Sequence, residues 1–121
     1  MIKFKSINQS KQFLRVFKKK KLNTKYFTIY FEKSSSNIKK NGNKNLNISF
    51  VMKKNIGNAV TRNKIKRKLK SAVQKIIKEK QLIDLNCTYV ILGRNIVYKD
   101  KFPLIFEEVK NVFKKIKLTG N

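Results

Sequence analysis

The sequence predicts an α+β fold, a sheet with helices packed on it in the order αββαβα, with room for one more short strand. Three observations lead there. Apolar residues recur at the helical period over 9–20, 59–80 and 104–117. Runs of β-branched and aromatic residues stand at 25–32, 46–52 and 87–93. A length of 121 residues, 40% of them hydrophobic, suits one domain (1–121) around a single core.

Each element has its own warrant. In 9–20, Phe13, Leu14, Val16 and Phe17 share one face, and Ser10 is a good helix-capping residue. In 25–32, Tyr26, Thr28 and Tyr30 alternate with Phe27, Ile29 and Phe31, so the two sets face opposite sides of a sheet. Residues 33–45 are rich in Ser, Asn and Lys around Gly42 and read as a flexible loop. Leu46, Ile48, Phe50 and Met52 point a second strand at the core. After Gly57 comes the long helix, whose Ile65, Leu69, Ala72, Val73, Ile76 and Ile77 form one apolar stripe. CTYVILG at 87–93 is a third strand. Phe106, Val109, Val112, Phe113 and Ile116 give the last helix its buried side, Pro103 suits its start, and 118–121 form a tail.

Charge is the outlying property. There are 31 Lys and Arg against six Asp and Glu, a formal net charge of +25. Self-repulsion of that size opposes compaction, so the expected partner is a polyanion, nucleic acid before an anionic membrane. An AT-rich genome also favours Lys, Asn, Ile and Phe codons, but does not by itself explain so few acids. The chain has no His, so the usual general base and metal ligand are missing. Cys87 stands alone in an apolar run, with no disulfide partner within the chain, and reads as a buried thiol. Of the acids only Glu107 and Glu108 are neighbours, and adjacent helical residues do not face one site. No catalytic residue and no metal site are expected on the protein. The N-terminus has no signal-like apolar stretch and no window is long enough to span a membrane, so the expected location is the cytoplasm.

Within the long helix, Asn63, Lys66, Arg67 and Lys70 fall within about a third of the circumference, off the apolar stripe. Lys64, Lys68 and Lys75 form a second basic flank. A solvated basic face would look the same. The helix start is more specific. Asn58 suits the N-cap, which leaves the N–H groups of Ala59, Val60 and Thr61 free, while Arg62 and Lys64 crowd a turn where the helix dipole disfavours cations. A phosphate there would satisfy all three. Arg62, near the edge of the apolar stripe, can instead reach sideways across the sheet. In a chain that writes most cations as Lys, the arginines Arg15, Arg62, Arg67 and Arg94 are the forks able to grip phosphate in two places.

Residues 53–70, KKNIGNAVTRNKIKRKLK, resemble the signature of the bacterial ribonuclease P protein family, approximately K-x-x-G-x-A-V-x-R-N-x-x-K-R-x-x-R. Gly57, Ala59, Val60, Arg62, Asn63, Lys66 and Arg67 match it, and Lys54 falls near the family's lysine pair. The likeness extends over most of 7–117, through Phe13, Val16 and Phe17, the aromatic first strand and Arg94. Ser49 stands where the family usually has Gly, Lys53 where it often has Ser, Asn55 for a common Lys and Lys70 for the closing Arg.

The resemblance implies an α-β sandwich with a mostly antiparallel central sheet and a left-handed βαβ crossover through the motif helix. It implies that Lys54, Arg62, Asn63, Lys66, Arg67 and Lys70 contact the ribonuclease P RNA, and that Phe13, Phe17 and Tyr30 line a cleft for the 5′ leader of precursor tRNA. The RNA, using Mg²⁺ that it holds itself, would hydrolyse the leader to give the mature 5′ end, with the protein a non-catalytic subunit of the endoribonuclease. Ordinary core packing is the alternative account of both Phe13 and Phe17, and for Phe17 it does nearly as well. The residues themselves also admit a ribosomal-type RNA binder, a nucleoid-type DNA binder, or a nuclease with its own active site.

Overall fold

The computed structural model describes residues 3–5, 10–33, 45–79, 83 and 87–119. The elements are β1 (Lys3–Lys5), α1 (Ser10–Phe17), β2 (Lys20–Asn23), β3 (Phe27–Lys33), β4 (Asn45–Met52), a 3₁₀ turn (Lys54–Ile56), α2 (Ala59–Glu79), β5 (Cys87–Gly93), α3 (Ile96–Lys99) and α4 (Phe102–Thr119). The three strands and three helices that periodicity predicts are all present, with β5 at the predicted bounds. The 33–45 loop lies outside the described residues apart from its ends, which belong to β3 and β4. The α4 helix continues to Thr119, past the predicted 117.

The strands form one sheet in the order β1-β4-β5-β3-β2. Two pairings are parallel (β1 with β4, β4 with β5) and two antiparallel (β5 with β3, β3 with β2). The sheet is therefore evenly mixed rather than mostly antiparallel. The β4–α2–β5 crossover sets one of the parallel pairings, because it returns the chain to the same end of the sheet before starting the neighbouring strand, and the short β1 adds the other beside β4.

Two short strands escape the sequence reading in part. The expected 9–20 helix stops at Phe17, where Lys18 and Lys19 N–H groups donate to Arg15 and Val16 carbonyls, and Lys20 already pairs with Phe31. The lysine run after Phe17 has no side chain to bury against the sheet, so pairing with β3 wins over another helical turn. Tyr26 is likewise not in a strand. The Thr24 hydroxyl accepts from the Tyr26 and Phe27 N–H groups at 3.2 and 3.0 Å and donates to the Phe27 carbonyl at 2.9 Å, closing a tight β2–β3 turn. Tyr26 consequently joins the main core instead of sharing the face of Thr28 and Tyr30.

That core lies between one sheet face and the pair α2–α4. The sheet contributes Phe27, Ile29, Phe31, Leu46, Ile48, Tyr89 and Ile91; α2 contributes Ile65, Leu69, Ala72, Val73 and Ile76; and α4 contributes Ile105, Val109, Val112, Phe113 and Ile116. Tyr89 and Phe113 meet edge to face at 5.1 Å. Each large side chain buried here stabilises the fold by roughly 1.5–3 kcal/mol. On the other sheet face α1 covers a small second cluster, Val16 and Val90 with Tyr30 and Val51 at its rim. Leu14, expected in the apolar stripe of α1, is 59% exposed, because eight residues of helix offer one turn to the sheet and Val16 takes it.

Candidate nucleic-acid interface

The chain turns into α2 through a short sequence of backbone constraints. Lys54–Ile56 make one 3₁₀ turn, with the Ile56 side chain against the core and Lys54 exposed. Gly57 has φ 157° and ψ −166°, and a Cβ there would lie 3.3 Å from the Thr61 side chain. Glycine is needed on both counts. Asn58 caps the helix: its Oδ1 accepts from the Thr61 N–H at 2.9 Å, and its carbonyl from the Arg62 N–H at 3.1 Å. The expectation of three free N–H groups is thus corrected to two. Those of Ala59 and Val60 have no partner among the described residues, while the cap itself occupies Thr61.

Along α2 the basic residues divide into two classes that sequence alone does not separate. Asn63, Lys66, Arg67 and Lys70 are exposed, Arg62 is half-buried at the edge of the core stripe, and none of these side chains bonds or pairs with another described residue. The second flank is engaged within the protein. Lys68 Nζ donates to the carbonyls of Val97, Tyr98 and Asp100 at 3.0, 3.1 and 3.0 Å, satisfying the carbonyl end of α3. Lys64 Nζ sits 5.6 Å from the Tyr98 ring centroid, and Lys75 and Lys110 sit 4.7 and 5.6 Å from that of Phe106. The flank of Lys64, Lys68 and Lys75 faces α3 and α4, so the outward-facing charge is the arc from Lys66 through Lys70 and Asn63 to Arg67.

The opposite face of the sheet is polar. Thr28, Ser49 and Thr88 are buried there beside α1, with Ser49 opposite Val90. Phe17 and Tyr30 meet edge to face with centroids 4.7 Å apart, and Phe17 remains 37% exposed. Phe13 lies on α1, but its side chain is outside the described residues. Arg94 Nη2 donates to Thr28 Oγ1 at 3.0 Å, and Thr28 Oγ1 donates to Asn23 Oδ1 at 2.7 Å. Arg15 Nε donates to both Glu32 carboxylate oxygens at 2.9 and 3.1 Å, so this arginine already has an acidic partner within the protein. Strand alternation places Thr28 with Tyr30 from sequence. The partnership with Arg94, 66 residues away, has no local signal.

The two sets of predicted site residues therefore occupy opposite sides of the molecule: Phe17 and Tyr30 beside α1, and Lys54, Arg62, Asn63, Lys66, Arg67 and Lys70 on and before α2. Both surfaces suit an anionic, partly unpaired polymer. The first offers an aromatic pair and the Arg94 guanidinium; the second offers point charges and two unengaged forks, Arg62 and Arg67. The few acids stand aside. Glu32 holds Arg15, Glu107 pairs with Lys110 at 3.1 Å, and the Asp100 carboxylate accepts the Tyr26 hydroxyl at 2.6 Å with Lys25 at 3.9 Å. That hydrogen bond, with burial, pushes the Tyr26 phenol up to about 12. Among the described residues no three of His, Cys, Asp or Glu gather where they could hold a metal ion, and no helix is long and apolar enough to cross a membrane.

A family model, Ribonuclease P, matches residues 1–117. The chain is 31% identical over 119 residues to the ribonuclease P protein component of Shouchella clausii, covering 98% of this chain and 90% of that protein. It is 33% identical over 114 residues to the corresponding component of Bacillus cereus, covering 90% and 88%. Among solved structures, the ribonuclease P protein of Thermotoga maritima superposes with a TM-score of 0.72 at 23% identity, over 93% of this chain and 97% of that one. A Staphylococcus aureus ribonuclease P protein superposes with a TM-score of 0.68 at 23% identity, over 93% and 94%.

Proposed function

Because this chain belongs to the bacterial ribonuclease P protein family, whose members serve tRNA processing as part of a ribonucleoprotein nuclease, we propose that it grips the catalytic RNA through α2 and the precursor-tRNA leader through the α1 cleft. The observation that carries the first half is the arc of Asn63, Lys66, Arg67 and Lys70. It is exposed, unengaged among the described residues, and mounted on a helix whose other side is core. Lys54 and Arg62 extend it at the helix start. Arg67 supplies the planar fork for one phosphate, and the lysines supply charge without directional demand. The second half rests on Phe17 and Tyr30, an aromatic pair on which unpaired bases stack; Phe13 is assigned to the same wall by its place on α1.

In this reading the protein contributes no group to hydrolysis. The RNA subunit, with its Mg²⁺, cleaves the leader and releases the mature tRNA 5′ end. The protein offsets phosphate repulsion between the two RNAs and so lowers the demand for bulk cation. Its place of work is the cytoplasm. The test is cleavage of a leader-bearing precursor tRNA at low Mg²⁺ by a bacterial ribonuclease P RNA, with and without this protein. Cleavage at the mature 5′ end only with both components is the expected result. Tight RNA binding with no stimulation would instead favour a structural RNA binder of ribosomal type.

A further inference from the structure

Tyr98 stands out on the surface of a chain that buries Tyr26 and Tyr89. It is 41% exposed, on the short helix α3, and its neighbourhood is built rather than incidental. Lys68 fixes the α3 carbonyl end, including the carbonyl of Tyr98 itself, to the middle of α2. Lys64, one turn earlier on α2, sits 5.6 Å from the ring centroid. Lys99 and Lys101 follow the tyrosine in sequence and are exposed, as is Val60, one turn before Lys64. The acid between those two lysines, Asp100, is turned to the Tyr26 hydroxyl and Lys25. The result is an aromatic ring whose backbone is tied to α2, with the Lys64 ammonium at its face, two exposed lysines close in sequence and Asp100 occupied elsewhere.

The position of this ring matters as much as its chemistry. At roughly 100° per residue, the outward arc of α2 runs from Lys66 through Lys70 and Asn63 to Arg67, and the next positions around the helix are Val60 and then Lys64, which begins the flank facing α3. Tyr98 stands at the end of that progression, over Lys64. It is thus continuous with the surface assigned above to the RNA subunit, and the sheet separates it from the cleft beside α1. An aromatic face among lysines suits one chemistry well: an unpaired base stacks on the ring while its phosphates meet the ammonium groups. A duplex offers no free base face and gains only the charge.

We propose that Tyr98, with Lys64, Lys99 and Lys101, forms a stacking site for an unpaired nucleotide of the RNA subunit, at the margin of the α2 interface. The site rests on the ribonuclease P reading. Its signature is a division of labour. Tyr98→Ala lowers affinity for the RNA subunit about tenfold without changing the salt dependence, because stacking releases no counterions, and Tyr98→Phe keeps parental affinity. Lys64→Ala weakens binding and also flattens the salt slope.

The experiment measures binding of the full chain and these variants to a bacterial ribonuclease P RNA across a salt series, with Arg67→Ala in parallel and thermal unfolding of each variant recorded. A benzophenone amino acid in place of Tyr98 then maps the contact in the assembled complex with precursor tRNA. A crosslink to an unpaired nucleotide of the RNA subunit, with the affinity pattern above, establishes the site. Crosslinking only to precursor tRNA, or only to paired nucleotides, overturns it. Parental affinity for Tyr98→Ala alongside a weakened Arg67→Ala overturns this inference alone, whereas parental affinity for both overturns the proposed function with it.

Discussion

Single side chains in this protein are sorted by whether another residue already holds them. Arg15 and Arg67 are chemically identical, but Arg15 is spent on Glu32 while Arg67 meets no described partner. Arg67→Ala should therefore weaken RNA-subunit binding and reduce the slope of log affinity against log salt by about one, whereas Lys114→Ala on the exposed side of α4 should do neither. A salt-controlled titration of both variants decides it, and equal effects would remove any special standing of the α2 arc. Tyr26 illustrates the opposite fate, a polar group wholly absorbed by the fold. Its phenol is raised from 10.0 to about 12 by donation to Asp100 and by burial. A raised folded value stabilises the fold in full below the unfolded value and loses that contribution as pH climbs from 10.0 to about 12. Tyrosinate absorbance should show a late-ionising phase in the parent, and Tyr26→Phe should reduce that phase and show a shallower stability loss over the same window.

At the level of elements, α2 and α1 solve different problems. The α2 helix is long and carries a complete apolar stripe, so it is anchored by the main core and can spend its outer face on charge. The α1 helix has eight residues and only Val16 fully buried among its described side chains, so its place depends on the sheet beneath it. Leu69 is fully buried, close to where a side chain on Gly93 would sit. Leu69→Ala should cost about 2–5 kcal/mol, and Leu14→Ala, at an exposed position of α1, less than about 0.5 kcal/mol. Denaturant unfolding of the two variants checks the contrast. The edge strand β2 shows a third use of charge, because exposed Lys20 and Lys21 on an open sheet edge discourage pairing with a second chain.

For the whole molecule, a formal charge of +25 on 121 residues is the dominant long-range force. Screening it relieves self-repulsion in the compact state more than in the expanded one. The melting temperature should therefore rise with added monovalent salt, and rise further with a ribonuclease P RNA through preferential binding to the folded form. Thermal unfolding across a salt series tests this, and a melting temperature that fell with salt would mean that the ion pairs to Glu32, Asp100 and Glu107 outweigh the repulsion. The two surfaces proposed to meet RNA stand on opposite sides of one sheet, an arrangement that suits a small protein placed between two polyanions.

Local pattern determined what depends on burial of one face. The α2 stripe, the alternation of β3 and the apolar run of β5 are each written in consecutive residues, because a helix or strand in contact with a core must repeat its apolar side chains at its own period. The Gly57–Arg67 motif was legible for the same reason, since turn, cap and basic arc are neighbours in the chain. Tertiary structure alone decided the rest. The strands β1 and β2 exist because a neighbouring strand pairs with them, and KFK and KKLN carry too little apolar pattern to announce it. Tyr26 left its expected face because the Thr24 hydroxyl closes a turn and Asp100, 74 residues on, takes the phenol. Which lysines of α2 are free was decided by α3, whose carbonyls claim Lys68 from about 30 residues away. Composition places the charge on the chain, but contacts between distant residues choose which of those charges remain available to a partner.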